Sequence, residues 1–128
     1  MPVGHRLSEH AQLHWSDLRG ETLATIPPEH FPGLSGFAFD AEANGVSLKM
    51  IEQYDHAVFN NCLLNQTLLQ IPLCWKDIVP SGMKVLPGDW KYALPYGFYY
   101  TKDPDSPVRS FIRFLERERP AVVIPWAI

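Results

Sequence analysis

Cysteine is nearly absent from this sequence. Cys62 and Cys74 are the only two in 128 residues, with no CxxC spacing. That excludes a disulfide-stapled fold or a zinc-ribbon type of site. Both thiols read as small buried hydrophobes in a reducing compartment. Basic charge is scarce as well: 11 Lys and Arg stand against 14 Asp and Glu, a net charge of −3. The densest basic group, Arg109 to Arg119, alternates with Glu116 and Glu118, as a solvated helix face does and a phosphate track does not. Direct contact with nucleic acid is therefore not expected. No apolar run approaches the roughly 20 residues that cross a bilayer. The first residues also lack the charged-then-apolar pattern of a secretory signal. Together these absences point to a cytoplasmic chain without a membrane partner. Glycine-rich phosphate loops and a Gly-x-Ser-x-Gly elbow are missing too. With no coherent set of acid, base and nucleophile, neither an enzyme nor a cofactor is expected.

What remains is an ordinary globular composition, 46% hydrophobic and 20% charged, long enough for one domain with a real core over residues 1–128. Leu18 closes a helical turn stopped by Gly20, and Glu21 to Ile26 reads as a strand. Pro27, Pro28 and Pro32 break it. A helix is expected from about Pro32, where Leu34, Phe37, Ala38 and Ala41 make an apolar stripe that ends at Asn44-Gly45. Val46, Leu48 and Met50 alternate with polar residues, predicting a strand from Val46 to about Tyr54. Asp55 is placed to cap a helix from His56 to about Leu69, with Val58, Cys62 and Leu69 facing inward. Short strands are expected at Gln70 to Cys74 and Met83 to Leu86, with a helical turn at Trp75 to Ile78 between them.

A longer strand should run from Leu94 to Tyr100. A last helix follows, with Ser106 as cap, Pro107 at the first helical position, and Val108, Phe111, Ile112 and Leu115 on one face. Strands alternating with helices indicate an α/β layered domain with a largely parallel sheet. The apolar tail, Ala121 to Ile128, has no evident partner in the sequence.

Two other constellations carry little chemistry. His10 and His14 stand at i, i+4, but no carboxylate or cysteine joins them in a metal motif. His56 and Cys62 are six apart, well off a common helix face, so a thiol nucleophile pair is not expected.

Four segments in order resemble one family: HWSDLRGETLATIP, IEQYDHAVFNNCLLN, LLQIPLCWKDIVPSGMKVLPGDW and LPYGFYYTKDPDSPVRSFIRFLE. Together they resemble the effector-binding (substrate-binding) domain of LysR-type transcriptional regulators, from roughly Gly4 to Arg117. The resemblance implies a partial periplasmic-binding-protein-like (type II) domain, a mainly parallel sheet flanked by helices. Residues 16–90 would form the second-subdomain core, 91–118 the return strand and C-terminal helix, and 119–128 a tail. The family's helix-turn-helix, its linker helix and much of the first subdomain have no counterpart. A truncated sensor is the expectation: it senses a small molecule, mediates regulator oligomerisation, or both, without binding DNA itself. A solute-binding protein and a vestigial fragment of a split regulator are the alternatives.

In the resembled fold, effectors bind at loops after the carboxyl ends of strands. Pro28, Glu29, His30 and Phe31 form one such loop, whose amides could meet an anion, although Glu29 would repel one. The plainer reading is a turn, with Phe31 stapling the next helix. Tyr54, Asp55 and His56 form the second, with an N-cap and a strand-end aromatic as the plainer reading. The aromatic return strand, with Tyr92, Tyr96, Phe98, Tyr99 and Tyr100 on or beside it, would need a partner. A homodimer, or pairing with a full-length regulator, is therefore expected.

Overall fold

The computed structural model describes residues 1–95, 100–118 and 123–128. Its centre is β1 (Thr22–Thr25), flanked by β2 (Ser47–Met50) and β3 (Leu68–Leu69) in a parallel sheet of order β2-β1-β3. Leu23 stands in register with Leu48 on one side and Leu68 on the other. A central parallel strand is covered on both faces. Accordingly Leu23, Ala24 and Thr25 are all buried rather than alternating in and out. Past Ile26 the consecutive Pro27 and Pro28 offer no N–H to a ladder. Its neighbour therefore stops too: β2 ends at Met50 and not near Tyr54, with Ile51 N making a last bond to Thr25 O at 2.9 Å.

The helix expected from Pro32 starts later. Pro28–His30 and Pro32–Leu34 are separate 3-10 turns, and α1 spans Phe37–Ala43. Gly36 lies between, at φ +83°, a left-handed conformation that glycine takes without strain and that no helix continues through. The apolar stripe still works across the break, since Leu34, Phe37 and Ala41 are buried. Phe37 joins an aromatic group with Trp15 at 5.4 Å and Tyr92 at 5.3 Å between ring centroids. The Tyr92 hydroxyl donates to Asp40 of α1. This cluster anchors α1 to the Trp15–Leu18 turn.

Asp55 caps α2 (His56–Asn65), its Oδ1 accepting from Val58 N at 2.8 Å. The helix ends at Asn65 rather than near Leu69, because Gln66 turns left-handed at φ +54°. Leu69 is thereby released to pair in β3 with Ala24. Cys62 is the one buried residue of α2. Cys74, expected to be buried as well, is exposed.

The second sheet corrects the largely parallel expectation. β4 (Ile71–Pro72), β5 (Ala93–Pro95) and β6 (Val123–Ala127) form an antiparallel sheet of order β4-β6-β5. The tail thought to lack a partner supplies its middle strand, with Ile71 opposite Ala127 and Leu94 opposite Ile124. Tail residues 121–122 lie outside the described residues, as do positions 96–99 of the expected return strand with Tyr96, Phe98 and Tyr99.

After β4 the chain makes a 3-10 turn at Leu73–Trp75, so the strand expected to reach Cys74 is shorter. Ile78 N bonds Trp75 O at 2.9 Å, in a turn where Trp75 to Ile78 was expected to be helical. Met83 to Leu86 forms no strand element. It gives a single bridge, Pro2 to Met83, and a reciprocal pair of backbone bonds between Leu86 and Ile128 at 2.8 and 3.1 Å. Both ends of the chain are therefore sewn into one seam. Met1, whose amine donates to Lys84 O at 2.9 Å, is buried there, and so is Ile128.

The last helix, α3 (Ser106–Glu118), is capped by Asp105 and not Ser106: Asp105 Oδ1 accepts from Val108 N at 3.1 Å. None of its residues is buried. On the face expected to sit on a core, Val108 and Phe111 are exposed and Ile112 and Leu115 are half-buried.

Candidate functional site

Three adjacent parallel strands deliver three chain segments to one end of the sheet. The segment after β1 holds Pro28, Glu29, His30 and Phe31. Pro28 is buried, Phe31 is half-buried against the core, and Glu29 and His30 are exposed. The amide cradle expected here is spent internally: His30 N bonds Pro27 O and Phe31 N bonds Pro28 O, each at 3.1 Å. An anion would find these donors engaged, with the Glu29 carboxylate alongside. The turn reading of this loop is the one its hydrogen bonds describe.

The segment after β2 brings Tyr54, Asp55 and His56. His56 is exposed at the first position of α2. Asp55 accepts from Val58 N and from Gln53 Nε2, the latter at 3.2 Å. The Val58 amide in particular holds its carboxyl below the usual carboxylate range. Tyr54 reaches across the sheet end. Its hydroxyl donates to Gln70 O at 2.9 Å, and its ring meets Trp75 edge-on at 5.0 Å. Burial pushes the Tyr54 hydroxyl well above its ordinary pKa, so it is a neutral donor.

Behind Tyr54, the segment after β3 begins with Gln70. This residue is 1% exposed, and Thr25 at the end of β1 is 0% exposed. The two side chains bond each other through Thr25 Oγ1 and Gln70 Oε1, and Gln70 N holds the sheet through Ala24 O at 2.9 Å. Gln70 Nε2 is buried with no hydrogen-bond partner among the described residues. A carboxamide brings two donors and an acceptor, and leaving a buried one unmet costs about 1–3 kcal/mol. Rotating the amide only exchanges which atom goes without.

Of the residues picked from sequence, the structure sets Tyr54 directly on the Gln70 backbone. Pro28, Glu29, His30 and Phe31 sit at the same sheet end without a polar contact to that pair among the described residues. Thr25 and Gln70 were not picked. The signal was there to read: each interrupts an apolar run, LATI and LLQIP, where a strand buried on both faces should carry none.

A concavity of about 240 Å³ lies on the α2 side of the sheet. Ala24, Ile51, Val58 and Cys62 form part of its lining, and Lys49 Nζ donates to Asn61 Oδ1 at 3.1 Å beside it. Burial raises the Cys62 thiol above its ordinary pKa, which disfavours the thiolate form that acts as a nucleophile. The histidines near the amino end are occupied by carboxylates: His10 by Asp17, His14 by Asp89, and buried His5 by Glu21 at 3.2 Å. No group of three metal-ligating side chains occurs among the described residues. No helix there is long and apolar enough to cross a membrane. Compared with known proteins, the chain matches no family model, no curated protein and no solved structure.

Proposed function

We propose that this chain is a small-molecule-sensing module built on the plan of the second subdomain of a LysR-type effector domain, of the periplasmic-binding-protein-like class. Its role is to bind an effector and to take part in oligomer formation. DNA contact is not assigned to these 128 residues. The observation that carries the reading is the buried, unmatched carboxamide of Gln70, with Thr25 beside it and Tyr54 across it. These groups stand at the carboxyl ends of three adjacent parallel strands, where open α/β sheets receive ligands. A polar group at this depth is tolerated when something completes its hydrogen bonds. The effector this favours is a small molecule carrying a hydrogen-bond acceptor, such as a carboxylate, with a flat apolar part suited to Tyr54 and Trp75.

Thermal shift against a panel of small aliphatic and aromatic carboxylates tests it, since a ligand of the folded state raises Tm by mass action. A hit in the native chain should vanish in Gln70→Leu. That variant should be at least as stable without ligand, because it removes an unmet polar group. A panel without any shift, or a hit untouched by Gln70→Leu, counts against the reading.

A further inference from the structure

The parallel sheet has two faces, and the Gln70 carboxamide uses one. Ala24 stands in register with Lys49 of β2 and with Leu69 of β3, so these three point one way. Thr25 and Gln70, each one residue on, point the other way. The concavity beside α2 lies on the Ala24 face. Its α2 wall is Ala57, Val58, Asn61 and Cys62, which share one side of the helix at i, i+1, i+4 and i+5. Interiors normally close to crystal density. Here helix and sheet face each other with Ala24, Ala57 and Cys62, side chains too short to fill the layer. About 240 Å³ stays open between them, room for about eight non-hydrogen atoms at ~30 Å³ each.

The two ends of this space carry opposite charge. At one end Lys49 Nζ donates to Asn61 Oδ1 at 3.1 Å and forms no ion pair among the described residues. At the other end stands Asp55, which also lines the space. Its carboxylate accepts from Val58 N and Gln53 Nε2 and keeps lone pairs for a further donor. Asp55 and Asn61 are six residues apart, about 9 Å of rise along α2.

We propose that this pocket binds an ω-amino acid of about four to six carbons. Its carboxylate meets Lys49, its ammonium meets Asp55, and its methylenes lie over Ala24, Ile51, Val58 and Cys62. Charge selects this occupant. A dicarboxylate or a phosphate ester sets negative charge against Asp55, and a diamine sets positive charge against Lys49. A plain fatty acid leaves Asp55 without a partner, and a plain amine leaves Lys49 without one. An α-amino acid holds both charges on one carbon, too close together to reach both ends.

The pocket and the Gln70 site lie on opposite faces of the sheet, so the two readings fail separately. Isothermal titration calorimetry of the whole chain should show saturable, millimolar or tighter binding of γ-aminobutanoate, δ-aminopentanoate or ε-aminohexanoate. Hexanoate and hexylamine, each lacking one charge, should bind about fivefold more weakly than ε-aminohexanoate. Lys49→Met, which keeps the apolar stem, should erase the advantage over hexylamine. Asp55→Asn, which retains a good helix cap, should erase the advantage over hexanoate. Gln70→Leu should leave these affinities unchanged. The proposal is overturned if no ω-amino acid binds, or if the three six-carbon ligands bind alike. Affinity that survives both Lys49→Met and Asp55→Asn overturns it too. So does affinity that falls in Gln70→Leu, which would move the ligand to the other face.

Discussion

The two longer helices, α2 and α3, reverse what their sequences suggest. The stripe of α3 is clean, with Val108, Phe111, Ile112 and Leu115 on one side and arginines on the other, yet none of its residues is buried. In α2, apolar side chains point several ways and Leu64 is largely exposed, yet Cys62 is sunk against the sheet. Amphipathicity states which face a helix would bury. Burial itself needs an opposed surface, and for Cys62 of α2 the sheet around Ala24 and Ile51 provides one. An apolar stripe is thus a request for a partner and says nothing of whether the same chain supplies it.

The widest gap between the two regions should appear on truncating aromatics. Phe37→Ala, within the Trp15–Tyr92 cluster, should cost about 3–5 kcal/mol in urea denaturation. Phe114→Ala on α3 should change stability by less than about 0.5 kcal/mol. Equal costs would show that α3 packs into the same cooperative unit.

The next effect comes from the Met1 amine, which lies on the Cys62 side of the fold. Burial lowers its pKa from 8.0 to about 6. The folded value is below the unfolded one, so its contribution is complete above pH 8 and lost as pH falls towards 6. The loss should amount to about 2–3 kcal/mol and level off below pH 6. Denaturation at pH 8.5, 7 and 5.5 measures it, and a stability flat across that range would place the amine in water.

Helix caps give a smaller contrast. Asp55→Ala should lower global stability by about 1 kcal/mol. Asp105→Ala should reduce helix content in circular dichroism with little change in the unfolding midpoint, if α3 folds without burying a face. Smallest of all is the exposed His14–Asp89 pair. Asp89 raises the His14 pKa, chiefly by their hydrogen bond. The folded pKa is above the unfolded value, so the stabilisation is present below pH 6.5 and lost as pH rises through the folded pKa. An NMR titration of His14 should move back towards 6.5 in Asp89→Asn, the opposite pH sense to Met1.

Much of the parallel half was legible from local chemistry. The prolines after Ile26, the stop at Asn44-Gly45, the Asp55 cap and the alternation from Val46 each act within a few residues and stand where their patterns placed them, although α1 begins at Phe37 rather than near Pro32 and β2 ends at Met50. Boundaries failed where a neighbour decided them. Leu69 left the helical stripe because Ala24 offered it a ladder. Ser106 yielded the cap to Asp105 because the cap is set by which carboxyl reaches Val108 N. At the candidate site, Tyr54 was visible as a strand-end aromatic. Gln70 and Thr25 were visible only as polar residues in apolar runs, and their bond spans 45 residues.

The sequence alone determined the alternation of strands and helices, the places where the chain must turn, and the apolar faces of its helices, because these follow from side-chain size, φ preference and periodicity over a few residues. Only the tertiary structure decided that the tail becomes the middle strand of an antiparallel sheet and that both termini share one buried seam. It also decided that a carboxamide is left unmatched at the end of three strands. Those outcomes depend on which distant backbone edge lies within hydrogen-bond reach, and no local pattern encodes that.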